Sequence, residues 1–495
     1  MRKHPILSIF AGFFLVILLW IGYEVTLALT AQPSPTVDYG RILEDRVREI
    51  QADAEGEDAW PDLIEAGELH TKLLERMNND VISRLRYEAN NYNAYFNSDA
   101  LRQKILDKDE GEFILRTREE ELAEIDDLKL RAIEIVKQWE GSGILTRLDR
   151  IAESGKAVRP MPDSTKERLF EFELPELGQI RQLARGSIIR MDLARSSGDW
   201  TEYTRSFEHI LALGRVAMQQ STLIDRLVGL SVRAMGYKAL VADITGDRIP
   251  AEVLPDIQAA IDRQSAIPPM RYAVKNTMLL DLDIVQWMYS SHGRLLVNRL
   301  NELDWSGGPT HPIVNVASIA YPRKAETQRW FEDYFGKLQI LFDTPPKQRR
   351  TMGLDIPDET NVSSWRYPVQ QALLPALGRS SSRDDRTHQM RIAVRTIIAI
   401  ARFKADTGSL PTSLDDLIPT YLDELPVDWY SEGLAPLKYK VLDEPDEFGR
   451  DYLLYSVWRD GVDDDGNTIN NDPYVQSAGR NEGYDIVLNH PDLNQ

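Results

Sequence analysis

The sequence contains no cysteine among its 495 residues. That absence excludes disulfides, thiolate nucleophiles, iron–sulfur clusters and cysteine-ligated zinc. The 7 histidines are scattered along the chain, without a His-Glu-x-x-His run or a close histidine pair. A histidine-rich metal site is therefore not expected.

Motifs that bind nucleotides or activate a nucleophile are missing as well. The chain has no Gly-x-Gly-x-x-Gly, no Walker A motif and no Gly-x-Ser-x-Gly elbow. No spacing joins its serines and histidines into a catalytic triad. Carboxylates are abundant, but their spacing is typical of solvated helix faces. The sequence thus indicates no catalytic or cofactor-binding residue.

Basic residues are few relative to acidic ones. The chain has 58 lysines and arginines against 78 aspartates and glutamates, which gives a formal net charge of −20. Such a surface repels nucleic-acid phosphate, so no nucleic-acid partner is expected. With 42% hydrophobic residues, the chain is long and apolar enough for two or three domains.

One long apolar run is present, near the start of the chain. Residues 6–23 carry no charge over 18 positions, and Arg2 and Lys3 precede them. At about 1.5 Å per residue this run nearly spans a hydrocarbon core of roughly 30 Å. The positive charges before it keep the N-terminus in the cytoplasm and export the remainder of the chain.

We therefore expect residues 1–31 to form a transmembrane signal-anchor, in contact with the membrane over 6–29, with a linker over 32–38. The protein would be a single-pass protein of the cytoplasmic membrane with its bulk outside the cytoplasm. The alternative is a cleaved signal peptide, whose best cleavage site is Thr26-Leu27-Ala28. Signal peptides have a shorter apolar core of roughly 7 to 15 residues, which favours the anchor.

The region over 39–345 has the pattern of a helical domain. Apolar residues recur every three or four positions, as one stripe of an amphipathic helix requires: Leu122, Ile125, Leu128, Ala132, Ile135 and Trp139. Helices over 177–194 and from Trp200 onward flank a break at Gly198, and a third helix over 223–244 follows a cap at Ser221. Both a generic helical bundle and tetratricopeptide-type hairpins fit this pattern.

The segment over 386–495 is expected to be a separate α+β domain, reached through a linker over 346–385. The polar run over 378–385 is predicted to be a loop at this boundary. A helix over 387–404 ends at Gly408, and Ser413 or Thr412 caps a short second helix. Alternating residues over 437–442 and 452–458, and a short stretch over 485–488, predict an antiparallel sheet.

Several motifs in this last segment occur in a recognisable order: Asp406-Thr407-Gly408-Ser409-Leu410-Pro411-Thr412, Tyr421-Leu422, Leu425-Pro426-Val427-Asp428, Tyr455-Ser456-Val457-Trp458-Arg459-Asp460-Gly461 and Asp485-Ile486. They resemble the C-terminal part of the major, G-type pseudopilins of type II secretion. The resemblance implies a small sheet with an acidic, glycine-rich calcium loop.

The N-terminal end departs from that family. A pseudopilin has its processing glycine just before the apolar helix, whereas Gly22 and Glu24 lie at the far end of this run. The chain therefore resembles a membrane protein that carries a pseudopilin-like module. Its whole layout is similar to that of large envelope proteins of planctomycete-like bacteria.

The acidic loop around Asp463 is a candidate calcium site. The resemblance assigns Asp460 and Asp485 to it, while Asp463, Asp465 and Asn467 are added from their spacing. Closely spaced carboxylates repel one another, and Ca²⁺ relieves this repulsion with six to eight oxygen ligands. The loop lacks the glycine and the glutamate of an EF-hand. The alternative is a solvated acidic turn without metal.

These features predict a non-enzymatic envelope protein that mediates protein contacts, near a secretion or pilus-like system. The alternative is an exported hydrolase with carboxylate catalysis in a cleft of the helical domain. That alternative requires a pocket in which two acids converge on a substrate.

Overall fold

The computed structural model describes residues 5–77, 92, 95–96, 98–106, 118–303, 312–354, 366–373, 377–458, 461–468 and 484–490. Over these residues the protein is mainly α-helical, with a small three-stranded antiparallel sheet near its C-terminal end. The prediction of a mainly α protein with a small C-terminal antiparallel sheet is confirmed.

The described helices are numbered in chain order. They are α1 Pro5–Thr30, α2 Tyr39–Ile50, α3 Trp60–Met77, α4 Ser98–Leu106, α5 Arg118–Lys137, α6 Ile144–Glu153, α7 Pro175–Ser197 and α8 Trp200–Gln219. They continue with α9 Leu223–Thr245, α10 Leu254–Arg263, α11 Met270–Met288, α12 Lys324–Asp343, α13 Pro346–Thr351, α14 Pro368–Leu373 and α15 Leu377–Thr407. The strands are β1 Lys438–Val441, β2 Tyr452–Ser456 and β3 Ile486–Val487, and short 3₁₀ helices, including Pro312–Ala320, connect several elements.

Helices α7, α8 and α9 pack closely on one another. The break between α7 and α8 is at Gly198, whose φ of 75° lies in the left-handed region that glycine adopts at little cost. Asp199 caps α8 by accepting a hydrogen bond from the Glu202 amide. The third helix begins after Thr222, which forms a capping box with Asp225. The predicted helices are confirmed, with the cap of α9 one residue later than expected.

The apolar residues form two main cores. The larger core is continuous from the helical region into the sheet, and it includes Leu63, Ile210, Ile397 and Leu454. A second core lies between α2, α11 and α12 and includes Phe335. Because the larger core joins α15 and β2 to the central helices, the C-terminal elements are packed on the helical body.

The sheet follows α15 along the chain. Gly408 ends that helix region with a φ of 76°, and Ser413, one of the two predicted caps, caps a short 3₁₀ helix together with Asp416. The strands follow the order β1-β2-β3, and both neighbouring pairs are antiparallel. Tyr439 lies opposite Leu454 in this register.

The predicted loop over 378–385 is wrong, because these residues belong to α15. Asp385 is buried, and its two oxygens accept hydrogen bonds from the two terminal nitrogens of Arg349, at 2.6 and 3.0 Å. Its neighbour Asp384 accepts from Arg226 on α9 at 2.7 Å. These partners explain a helix that apolar periodicity does not reveal. The expected linker over 346–385 also contains α13 and α14.

The N-terminal helix is joined to the body near its C-terminal end and again just beyond it. Glu24 on α1 pairs with Arg294 at 2.8 Å, and both side chains are largely buried. The Gln286 amide on α11 accepts from the Thr36 and Val37 backbone and donates back to the Val37 carbonyl. The segment over 32–38 is thus held on the helical body.

Among the described residues, no helix combines the length and the apolar character that a membrane crossing requires. The described side chains of α1 begin at Leu15. Several of them are apolar and exposed: Leu15, Val16, Leu18, Leu19, Trp20, Ile21, Tyr23 and Leu29.

Candidate functional site

The structure describes four of the five predicted calcium ligands, and Asp460 lies outside the described residues. Asp463 pairs with Lys438 at 3.0 Å, and Asp465 pairs with Lys440 at 2.6 Å. Both lysines lie on β1, so this strand supplies positive charge to the acidic loop. The lysines relieve the repulsion that the sequence argument assigned to a cation.

Asp485 is the buried carboxylate of this loop. Its Oδ2 accepts from the amides of Asp464 and Gly466, at 3.0 and 2.8 Å. Burial, together with the charges of Asp463 and Asp464 and against these hydrogen bonds, raises the pKa of Asp485 to about 7. The fifth residue, Asn467, accepts from the Asp485 amide through its backbone carbonyl at 2.7 Å.

The described part of the chain contains no group of three or more acidic or histidine side chains that could hold a metal ion. The described loop residues are brought near one another, but two of their carboxylates face lysines. Calcium at this loop remains a prediction that depends on Asp460.

A larger candidate site lies in the helical region. A cleft of about 990 Å³ opens between α6, α8 and α10. Trp200 and Thr201 at the start of α8 line it together with the charged residues described below. Because both residues belong to the first turn of α8, they lie at the end of the α7–α8 hairpin where Gly198 makes the turn.

Asp149 is held inside this cleft by two side chains of α8. Arg205 donates to its two oxygens at 2.7 and 2.5 Å, and the Nε2 of His209 lies 2.8 Å from its Oδ1. Burial raises the pKa of Asp149, but the hydrogen bonds from His209 and Arg205 outweigh it and hold the pKa well below its usual range. Asp149 is therefore ionised and fully engaged near neutral pH.

Glu208 is engaged in the same way on the next face of α8. Arg263 donates to its two oxygens at 2.8 and 2.6 Å, and Gln264 donates to one of them at 3.0 Å. Each of the two carboxylates inside the cleft thus forms a bidentate ion pair with an arginine.

Arg215 closes the buried end of the cleft. Its guanidinium donates to the Gln264 and Gln219 amide oxygens and to the backbone carbonyls of Ile151, Ser154 and Gly155. Burial and repulsion from Arg233 together lower the pKa of Arg215 to about 10. Because its hydrogen-bond donors are all used, Arg215 holds the cleft wall and has none left for a ligand.

The rim of the cleft is acidic. Glu153, Glu252 and Asp256 line it and are exposed. None of the three makes an ion pair within the part of the chain that the structure describes. The opening therefore presents negative charge to the solvent, and a positively charged group is the ligand that it favours.

The sequence pattern alone does not indicate this cleft. Asp149 and His209 are 60 positions apart, and each alone is unremarkable in a charged helical sequence. The one available signal is the run of charged residues at three- to four-residue spacing on α8: Glu202, Arg205, Glu208 and His209. It marks a polar helix face, although it does not reveal which helices face it.

Comparisons with models of known protein families, with curated proteins and with solved structures find no match.

Proposed function

We propose that the chain is a single-pass protein of the cytoplasmic membrane whose bulk, outside the cytoplasm, binds other envelope proteins without catalysing a reaction. The helical region forms a bundle, and its cleft receives a positively charged segment of the partner. The C-terminal α+β unit resembles a pseudopilin and provides a second contact surface, near a secretion or pilus-like system. The charge distribution in the cleft carries the proposal. The acidic side chains inside the cleft are paired with arginines, whereas those at its rim make no ion pair among the described residues.

The paired acids favour binding over hydrolysis. A carboxylate-dependent hydrolase needs one carboxyl group whose raised pKa lets it donate a proton. Asp149 has the opposite property, because His209 and Arg205 keep its pKa low. Glu208 is held by the Arg263 fork. The alternative of a carboxylate hydrolase in the cleft therefore has less support.

The apolar helix α1 supports the membrane part of the proposal. The uncharged run over 6–23 follows Arg2 and Lys3. Where the side chains of α1 are described, large apolar groups such as Leu19 and Trp20 face outward. Apolar side chains exposed along one helix are stable in contact with lipid and costly in water.

The cleft can be tested with a fluorescent oligolysine peptide, whose binding is followed by anisotropy. We expect Glu252→Gln with Asp256→Asn to weaken binding about twofold to thirtyfold, from roughly 0.2–1 kcal/mol for each of two exposed ion pairs. Added salt should reduce the difference between this variant and the wild type.

The matched control is Glu167→Gln with Glu432→Gln, which removes two exposed acids that do not line the cleft. It lowers the net charge equally and should leave affinity nearly unchanged. Equal losses in the two double variants would show that the peptide responds to overall charge, and the cleft would lose its assignment.

A further inference from the structure

In the 3₁₀ helix Pro312–Ala320, the polar side chains Asn315 and Ser318 turn inward, whereas the apolar side chains that the structure describes turn outward. Asn315 and Ser318 are buried, at 3% and 7% exposure, and the Asn315 amide oxygen accepts from the Asn298 backbone at 3.0 Å. Ile319 is 49% exposed, and Ala317 and Ala320 are exposed as well. Two buried polar side chains next to an exposed isoleucine reverse the usual burial preference of these residue types.

The same segment is free of charge. Residues 312–322 contain no acidic or basic side chain, in a chain of which 27% is charged. Arg323 and Lys324 follow directly. An uncharged stretch with basic residues at its border is typical of a segment at a lipid surface, where the cations reach the headgroups.

Its position in the fold is beside the proposed anchor. The 3₁₀ helix Pro312–Ala320 packs against α1. The ion pair between Glu24 and Arg294 fixes the last turns of α1 on the helical body. The exposed Leu19 and Ile319 thus belong to two neighbouring apolar surfaces.

We infer that the segment Pro312–Ala320 is a second membrane contact, which lies in the interface of the bilayer next to the point where α1 leaves it. This inference rests on the proposed anchoring by α1. The occupant of the surface is lipid, since it continues the apolar surface of α1. The segment would hold the helical body against the membrane.

The absence of cysteine makes a direct test possible, because a single introduced cysteine is the sole labelling site. Spin labels are placed at Ile319→Cys, Leu19→Cys and Ile340→Cys in the full chain, reconstituted in vesicles of phosphatidylcholine and phosphatidylglycerol. Ile340 on α12 is the matched control, since it is 57% exposed and α12 does not pack extensively on α1 in the described part of the chain. Collisions with oxygen, which dissolves in lipid, and with a water-soluble nickel complex are then compared.

The inference predicts that the labels at positions 19 and 319 collide mainly with oxygen and the label at 340 mainly with nickel. A lipid signal at 19 with a water signal at 319 would overturn the second contact and leave the anchor intact. Low collision with both reagents at 319 would mean that protein covers the segment, which also overturns it. A water signal at 19 would remove the anchor and the inference together.

Discussion

At the scale of single residues, Asp281 is an ionisable group placed where ionisation is unfavourable. It is buried on α11, and its Oδ2 has no hydrogen-bond partner among the described residues. Burial raises the pKa of Asp281 well above its usual value. The folded protein therefore binds this proton more tightly than the unfolded chain does. The tighter proton binding contributes to the free energy of unfolding. This contribution is fully present below the ordinary pKa of about 4 and is lost as the pH rises through the folded-state pKa.

Asp281→Asn should consequently be more stable than the wild type at neutral pH, and the difference should shrink as the pH is lowered. The free energy of unfolding in urea, measured at several pH values, checks this. Asp333→Asn is the control, because it makes the same chemical change at an exposed position on α12. A constant difference between Asp281→Asn and the wild type at every pH would show that Asp281 does not titrate differently on folding.

Residues such as Asp281 show what the sequence could not provide. Its charge argues for an exposed helix position, and its burial follows from how α11 packs on its neighbours. Asp149 and His209 meet for the same reason, through the packing of α6 on α8. Local patterns predict which face of a helix is apolar, whereas long-range pairs of polar residues depend on tertiary structure.

At the scale of elements, α8 and α9 cross with their backbones unusually close. A Cβ added to Gly229 would lie 2.5 Å from the Gly214 carbonyl oxygen and 2.3 Å from the Met218 side chain. Gly229→Ala should therefore destabilise the protein by about 1–3 kcal/mol, as overpacking of a core does. Thermal or urea unfolding provides the measurement.

Gly178→Ala on α7 is the matched control for this crossing. An added Cβ there meets nothing within 4 Å. In an exposed helix position, alanine is favoured over glycine by roughly 0.5–1 kcal/mol, so this variant should gain stability. Destabilisation by both substitutions would show that helix–helix contact at Gly229 is not the cause.

Helices and strands could be predicted from the sequence where their own residue pattern determines them. The helices around Gly198, the cap at Ser413 and the three strands follow from apolar periodicity and turn residues. The start of α15 did not, because residues 378–385 are polar and their helix is held by Arg349 and Arg226. A polar run becomes helical there through tertiary ion pairs, which local propensity does not contain.

At the scale of the whole molecule, the C-terminal elements and the helical bundle are joined by buried charge as well as by apolar contact. Asp385 on α15 accepts from Arg349 and from the Trp429 indole, and Arg226 on α9 pairs with Asp384. The larger core is continuous across the same boundary. The C-terminal elements and the helical bundle are therefore expected to unfold together, although the sequence predicts two separate domains.

Asp385→Asn tests this coupling. It removes the counter-charge of the buried Arg349, which should cost about 3–5 kcal/mol. If the parts unfold as one unit, hydrogen exchange measured by mass spectrometry should accelerate in both β2 and α9. Asp423→Asn, an exposed substitution in the same C-terminal region, should change neither. Faster exchange confined to β2 would instead show that the C-terminal unit opens alone, since α9 would then keep its stability without the packing of α15.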